Sequence, residues 1–130
     1  VNTKAIGEQS EAMILAKLLQ LGKSVSIPFG NNQRYDLIVD EGGTLVKAQC
    51  KTGRVKDGFI QFKTCSTNGF TGKNQGYKGQ VDVFLVYCPE TSAYYRVPVT
   101  EVSHRECRLR FQKAKNGQSK GVRNAEDFQF

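Results

Sequence analysis

Apolar residues change their spacing several times along this chain, and each change marks an element. Over residues 3–21, Ala12, Leu15, Leu18 and Leu19 recur at helical intervals and Gly22-Lys23 supplies a stop, which predicts a helix. Glu11 intrudes on that stripe, three, four and seven residues ahead of Ile14, Leu15 and Leu18. A carboxylate placed there is paired, binds a metal, edges a cleft, or sits on the margin of the stripe in water. Val25–Phe29 predicts a strand ending at Pro28, and Gly30-Asn31-Asn32 turns the chain onward. Tyr35–Asp40 and Thr44–Thr52 are rich in β-branched and aromatic residues and flank Glu41-Gly42-Gly43, a hairpin signal.

The hairpin fixes a register. If Gly42 and Gly43 form a two-residue loop, Asp36 lies opposite Gln49 on one face of the sheet, with Cβ atoms ~5 Å apart. Lys51, two residues past Gln49, shares that face. The other face collects Leu37, Val39, Val46, Ala48 and Cys50, a set suited to a core.

Beyond the hairpin, Asp57-Gly58 marks a turn and Phe59–Thr64 alternates as a strand. Residues 66–80, STNGFTGKNQGYKGQ, predict a long loop whose Lys residues and single aromatics, Phe70 and Tyr77, suit either a polyanion or a plain disordered excursion. Val81–Cys88 is the most apolar run and the predicted sheet centre, and Pro89–Ser92 returns the chain into Ala93–Val97, with Pro98 at its end or edge. Thr100–Arg105 predicts a short helix capped by Thr100, and Cys107–Phe111 a half-exposed strand carrying Arg108 and Arg110. Lys113, Lys115, Lys120 and Arg123 follow around an Asn116-Gly117 turn, and no repeat or heptad pattern is present.

Size and charge narrow the picture. The 130 residues suit one domain with a real core, spanning 1–130, and 38% hydrophobic content argues for a folded globule. A net charge of +7 suggests an anionic partner, most often nucleic acid, although a basic surface can also be merely solvated. Cys50, Cys65, Cys88 and Cys107 are scattered without CxxC or Cys/His clustering, so reduced intracellular thiols fit better than zinc or disulfides. No apolar run approaches the ~20 residues of a membrane span. The first residues, VNTKAIGEQ, lack signal-peptide character, and a start at Val suggests trimming. A cytoplasmic location is expected, nucleoid-associated when bound.

Walker, dinucleotide-binding and nucleophile-elbow motifs are all missing. His104, the sole histidine, suits a surface or helix-end role. What remains is Asp36 with Gln49 and Lys51, joined in one reading by Glu11. Phosphodiester hydrolysis needs a hard cation on oxygen ligands, an attacking water of lowered pKa, and positive charge near the phosphorus. Asp36 could hold the metal, Glu11 add a second carboxylate, Lys51 position water or stabilise charge, and Gln49 offer a neutral amide oxygen. On spacing alone, the same trio also fits the polar outer face of an ordinary two-strand ribbon.

The array Gly7…Glu11, Tyr35-Asp36 and Gln49-Cys50-Lys51-Thr52 resembles the PD-(D/E)XK nucleases. It is most similar to the branch of homing endonucleases encoded by cyanobacterial group I introns. The likeness extends to QVDVFLVYCPETSAYYRVP and to Lys115-Asn116-Gly117-Gln118. It implies an α/β restriction-endonuclease-like fold, a mixed sheet flanked by helices, that cuts double-stranded DNA with Mg²⁺ or another divalent cation. By the resemblance Asp36 is the metal-binding Asp, Lys51 the catalytic Lys, Glu11 the N-terminal helix Glu, and the Cys50 backbone carbonyl a further metal ligand. Gln49 departs from the general Asp/Glu pattern, which leaves one or two metals open.

A double-strand break on this scheme needs at least two copies, hence a homo-oligomer, a dimer or a tetramer. Candidate phosphate contacts are Arg54, Lys56, Lys73, Lys78, Lys113, Lys115 and Lys120, and candidate base readers are Arg108, Arg110, Arg123 or the 66–80 loop. The rival readings are a junction-resolving nuclease with the same site and a nucleic-acid-binding module without turnover.

Overall fold

A computed structural model describes residues 2–30, 32–67, 70–103, 105–111 and 123–130. Helix α1 (Thr3–Gln20) begins where the Asn2 side chain accepts the Ala5 N–H at 3.1 Å. It ends in a Schellman motif: Gly22 at φ 78° donates to the Leu19 carbonyl, and Lys23 donates to that of Leu18. The buried stripe is Ser10, Ile14 and Leu18, not the expected Ala12, Leu15, Leu18 and Leu19; Ala12 is exposed and Leu19 is 56% exposed. The helix carries apolar residues around much of its circumference, so periodicity alone leaves its buried face underdetermined. A part-buried hydrogen bond, between the Ser10 hydroxyl and the Thr52 hydroxyl at 2.6 Å, fixes the Ser10 side inward.

The strands follow in chain order: β1 (Ser24–Ser26), β2 (Leu37–Glu41), β3 (Thr44–Thr52), β4 (Arg54–Lys56), β5 (Phe59–Lys63), β6 (Cys65–Thr67), β7 (Asn74–Gly76), β8 (Val83–Cys88), β9 (Ala93–Pro98) and β10 (Glu106–Arg110). The main sheet has the order β1-β2-β3-β8-β9, with β3 and β8 parallel and the other neighbours antiparallel. Gly42 and Gly43 both have positive φ, 64° and 93°, as a two-residue hairpin loop requires, and the pairing runs from Glu41–Thr44 to Leu37–Ala48. That is the expected register. The Val81–Cys88 run lies beside the sheet centre, which β3 occupies, and β8 is buried on both faces apart from Tyr87.

Strand alternation splits the core in two. Leu37, Val39, Val46, Ala48, Val83 and Leu85 meet Ile14 and Leu18 of α1. Phe84, Val86 and Val97 face the opposite way and meet Ile60, Phe62, Cys107 and Leu109 of a second sheet, ordered β10-β5-β4. The expected mixed sheet is therefore present, but the flanking differs. Among the described residues α1 is the one α-helix, and a three-stranded sheet covers the other face.

Three further expectations change. The Val25–Phe29 strand shrinks to Ser24–Ser26, and Ile27 and Phe29 are exposed. Within 66–80 the chain pairs as the β6–β7 hairpin, and Tyr77 is buried at 5% exposure. Thr100–Arg105 is not a helix: a single 3-10 turn spans Val99–Glu101 and Val102 is extended, while His104 lies outside the described residues. Thr64 explains this, since its hydroxyl donates to the Ser103 carbonyl at 2.7 Å and its N–H to that of Arg105 at 2.9 Å. Those bonds draw the segment along the end of β5 instead of letting it coil.

Gly53 is the pivot between the sheets. A Cβ there would lie 2.8 Å from Ile60 Cγ2 and 3.1 Å from Val86 Cγ1, so only glycine lets β3 pass into β4 across the packed core. Gly53→Ala is expected to destabilise the fold by about 1–3 kcal/mol through overpacking. Calorimetry reads this as a lower unfolding midpoint; an unchanged midpoint would mean the two side chains can move aside.

Candidate active site and nucleic-acid interface

The β2–β3 ladder stops at Leu37–Ala48, and Asp36, one residue earlier, turns its N–H onto the same Ala48 carbonyl at 2.8 Å. Leu37 of β2 and Asp36 before it therefore both address Ala48 of β3, in the manner of a β-bulge. Direct opposition to Gln49 is thus not what holds Asp36. Its Oδ2 instead accepts the Cys50 N–H at 2.9 Å. Gln49 and Lys51 remain on a common face of β3, both half-buried.

Electrostatics bring the expected residues into one group. Burial raises the Asp36 carboxyl above its ordinary value, and the Cys50 N–H and Lys51 ammonium offset only part of that. Burial, then the Asp36 carboxylate, then Glu8 raise the Glu11 carboxyl. Burial, then Asp36 and Glu11, push the Cys50 thiol well above its usual range, so it stays neutral. Glu11, Asp36, Cys50 and Lys51 thus share one electrostatic neighbourhood built from α1, the β2 lead-in and β3.

Three contacts that organise this group were not visible in the sequence pattern. The Ser10–Thr52 hydroxyl pair joins the neighbours of Glu11 and Lys51, setting how far along β3 the helix carboxylate sits. The Lys51 Nζ lies 3.4 Å from the Tyr77 hydroxyl. Arg34, two residues before Asp36, stacks its guanidinium 4.0 Å from the centre of the Tyr77 ring. A polar residue at a helix position that otherwise reads as core is the one signal that could have singled out Ser10.

The basic candidates divide by position. On the outer face of the second sheet the registers align Arg54, Gln61 and Arg108 in one row and Lys56, Phe59 and Arg110 in the next. The Arg108 and Arg110 guanidiniums lie 4.1 and 5.0 Å from the centre of the Phe59 ring. A cleft of about 700 Å³ runs from the first turns of α1, past Lys51 and Thr52, to Arg54, Lys56 and Lys63. Lys51, Arg54, Lys56 and Lys63 outweigh the single Glu106 in its lining, and with the helix N-terminus they favour an anion. Arg123 is exposed, and its carbonyl accepts the Arg110 N–H at 2.8 Å, which places it beside that face. Lys73 and Lys78 are exposed on the β6–β7 side of the molecule, apart from the cleft. Lys113, Lys115 and Lys120 lie outside the described residues, as does the Lys115–Gln118 stretch of the resemblance.

The donor chemistry fits a hard cation. Among the described residues no group of three or more His, Cys, Asp and Glu gathers, so the acidic donors are the two carboxylates Asp36 and Glu11. Both are held partly out of water at a cost that a bound cation would remove, and the neutral oxygens of Gln49 and the Cys50 peptide are adjacent in the chain.

A family profile described as PD-(D/E)XK endonuclease matches residues 1–130. Among solved structures the chain is similar to a bacterial homing endonuclease, I-Ssp6803I, with a TM-score of 0.79 and 22% identity, over 99% of this chain and 89% of that one. No curated protein sequence matches.

Because the Asp36 carboxyl is raised, its charge opposes folding. The native state keeps the proton in the window from the ordinary value of 3.8 up to the raised one, and stability falls as pH rises through that window. Asp36→Asn is therefore expected to raise the unfolding midpoint of the cation-free protein near pH 7. The gain should shrink on acidification below the ordinary value. A midpoint lowered at neutral pH would show that the carboxylate is net stabilising.

Proposed function

The chain belongs to the PD-(D/E)XK endonuclease family, and on that premise we propose that it is a divalent-cation-dependent, site-specific endonuclease that hydrolyses phosphodiester bonds in duplex DNA. The observation that carries this reading is the partly desolvated pair Asp36 and Glu11, with the Lys51 ammonium acting on Asp36 and itself lining a cleft with Arg54, Lys56 and Lys63. A homing-type, sequence-specific substrate is suggested by the structural likeness to a bacterial homing endonuclease.

Asp36 and Glu11 would hold Mg²⁺ or a similar cation, with the Cys50 carbonyl and the Gln49 amide oxygen as neutral donors. When bound, the cation supplies a lowered pKa for the attacking water and a counter-charge for the phosphate. Lys51 places an ammonium against the negative charge that builds as the water oxygen bonds to phosphorus and the P–O ester bond breaks. Arg54, Lys56 and Lys63 seat the DNA backbone in the cleft, and the Arg54–Gln61–Arg108 row lies flat for a groove. Arg matches guanine edges and Gln matches adenine edges bidentately. Arg110 and Arg123 extend the same face; Lys73 and Lys78 reach DNA only where it extends to the β6–β7 side.

One such site cuts one strand, so two copies serve a double-strand break, and a dimer or tetramer follows from the reaction. No helix among the described residues is long and apolar enough to cross a membrane. A cytoplasmic location suits a DNA substrate.

Plasmid DNA incubated with Mg²⁺ should be linearised or nicked, and an EDTA control should not. Asp36→Asn and Lys51→Ala should each abolish cleavage while leaving low-salt binding within about an order of magnitude, since neither residue supplies the phosphate contacts that dominate affinity. Cleavage at the wild-type rate would remove that residue from the mechanism. Preference for branched over linear DNA would replace the site-specific reading with a junction-resolving one, and binding without scission would leave a non-catalytic module. Affinity should fall by roughly 10³–10⁵ between about 50 and 200 mM salt if ~6–10 phosphates are neutralised. Arg54→Ala or Lys56→Ala should each flatten that salt slope by about one unit, measured by fluorescence anisotropy; an unchanged slope would place the phosphates elsewhere.

A further inference from the structure

We infer that Tyr77, clamped by Arg34, is a positioning residue for the Lys51 ammonium. The inference rests on the nuclease reading and deepens it.

A lysine in the field of the Asp36 carboxylate has an obvious alternative partner. Pairing with Asp36 would cancel the charge that has to hold a cation and turn the ammonium away from a phosphate. Among the described residues Lys51 makes no ion pair within 4.0 Å. Its Nζ instead lies 3.4 Å from the Tyr77 hydroxyl and 4.9 Å from the centre of the Tyr77 ring. One side chain thus offers the ammonium an oxygen acceptor and a π-face together, neither of which neutralises it.

The ring is itself fixed from three directions. It meets the Phe84 ring edge-on at 5.6 Å, and Phe84 pairs in register with Gln49 of β3. Its backbone carbonyl accepts the N–H groups of Gln80 and Val81 at 2.9 and 3.1 Å, which locks the turn that carries it. Arg34 stacks on it at 4.0 Å. The guanidinium cannot drift, because Nε donates to Gln80 at 2.6 Å, Nη1 to Ser66 at 2.7 Å, and Nη2 to the carbonyls of Gln75 and Gly76 at 3.2 and 3.0 Å. With these donors committed inside the protein, Arg34 serves the fold more than a phosphate. Arg34 also lies two residues before Asp36, so one clamp sets the approach to the carboxylate and the site of the ammonium.

Three variants and one spectrum test this. Tyr77→Phe keeps the ring and removes the acceptor, and is expected to lower kcat by about 2–10-fold, the span of a lost hydrogen bond, with KM and DNA affinity unchanged. Tyr77→Leu removes both and is expected to cost about 10²-fold in kcat, the scale of an ångström-level misplacement. Arg34→Lys loses the planar fork and should fall between them. In DNA-free protein, the Lys51 ε-methylene protons should show an aromatic ring-current shift that persists in Tyr77→Phe and vanishes in Tyr77→Leu. If Tyr77→Leu does not fold by circular dichroism, Tyr77→Phe and Arg34→Lys decide the matter. Wild-type kcat in the folded variants, or a Lys51 resonance indifferent to the ring, overturns the inference. A Lys51→Ala protein that still cuts would instead sink the nuclease role of Lys51, and the positioning role with it, while the resonance would still report whether the contact exists.

Discussion

A single charge-assisted hydrogen bond, from the Cys50 N–H to the Asp36 carboxylate, is the contact around which this molecule is arranged. It forms only because the chain leaves the β2–β3 ladder one residue early, so that a side chain takes the place a backbone carbonyl would otherwise occupy. The bond recovers part of the cost of burying the carboxylate, and Lys51 recovers a little more, yet the carboxyl stays above its ordinary value. A fold selected for stability alone would place a neutral side chain here. Two partly desolvated carboxylates in one electrostatic neighbourhood suit the proposed cation-binding site better than a plain ribbon.

The rest of the architecture gathers cationic side chains around that point. Gly53 separates β3 from β4 by a single residue and lets the chain pass from the main sheet into the second one, so Lys51, Arg54 and Lys56 follow closely along one path. The helix closes the opposite side, held at the right height by two hydroxyls rather than by shape alone. The second sheet turns Ile60, Phe62 and Leu109 inward and leaves Gln61, Arg108 and Arg110 outward. The alternation that builds the core therefore builds the cationic face as well. An aromatic ring, Phe59, orders the two arginines over it without neutralising them.

How much of this was legible depended on the range of the interaction. The two-glycine loop specified the register of β2 and β3, because the conformation needed for a two-residue hairpin is itself local. The register put Asp36 near Lys51, and Glu11 stood out as a carboxylate breaking an apolar helix stripe, with a place at the stripe's solvated margin left open; their grouping as a site came from the family resemblance. The mode by which Asp36 is held was not, since a bulge leaves no mark in a run of alternating residues. The buried face of α1 was misjudged for a related reason: a serine turned inward only because a threonine 42 residues away answers its hydroxyl. The 66–80 segment looked like an unstructured loop because its order comes from outside itself. Arg34 supplies the bonds that a Gly- and Asn-rich hairpin cannot make alone.

Gln49 becomes intelligible in the same terms. The Asp36 carboxylate already raises Glu11, and both carboxyls are partly removed from water. A third carboxylate at position 49, on the same strand face as Lys51, would add repulsion in a region where screening is weak. Only one ammonium would stand against three anions. An amide there adds no charge to that repulsion and, on the proposed reading, would still offer an oxygen to a hard cation. On this argument the departure from an acidic residue at 49 compensates for the depth at which Asp36 is buried, and is not by itself a mark of lost activity.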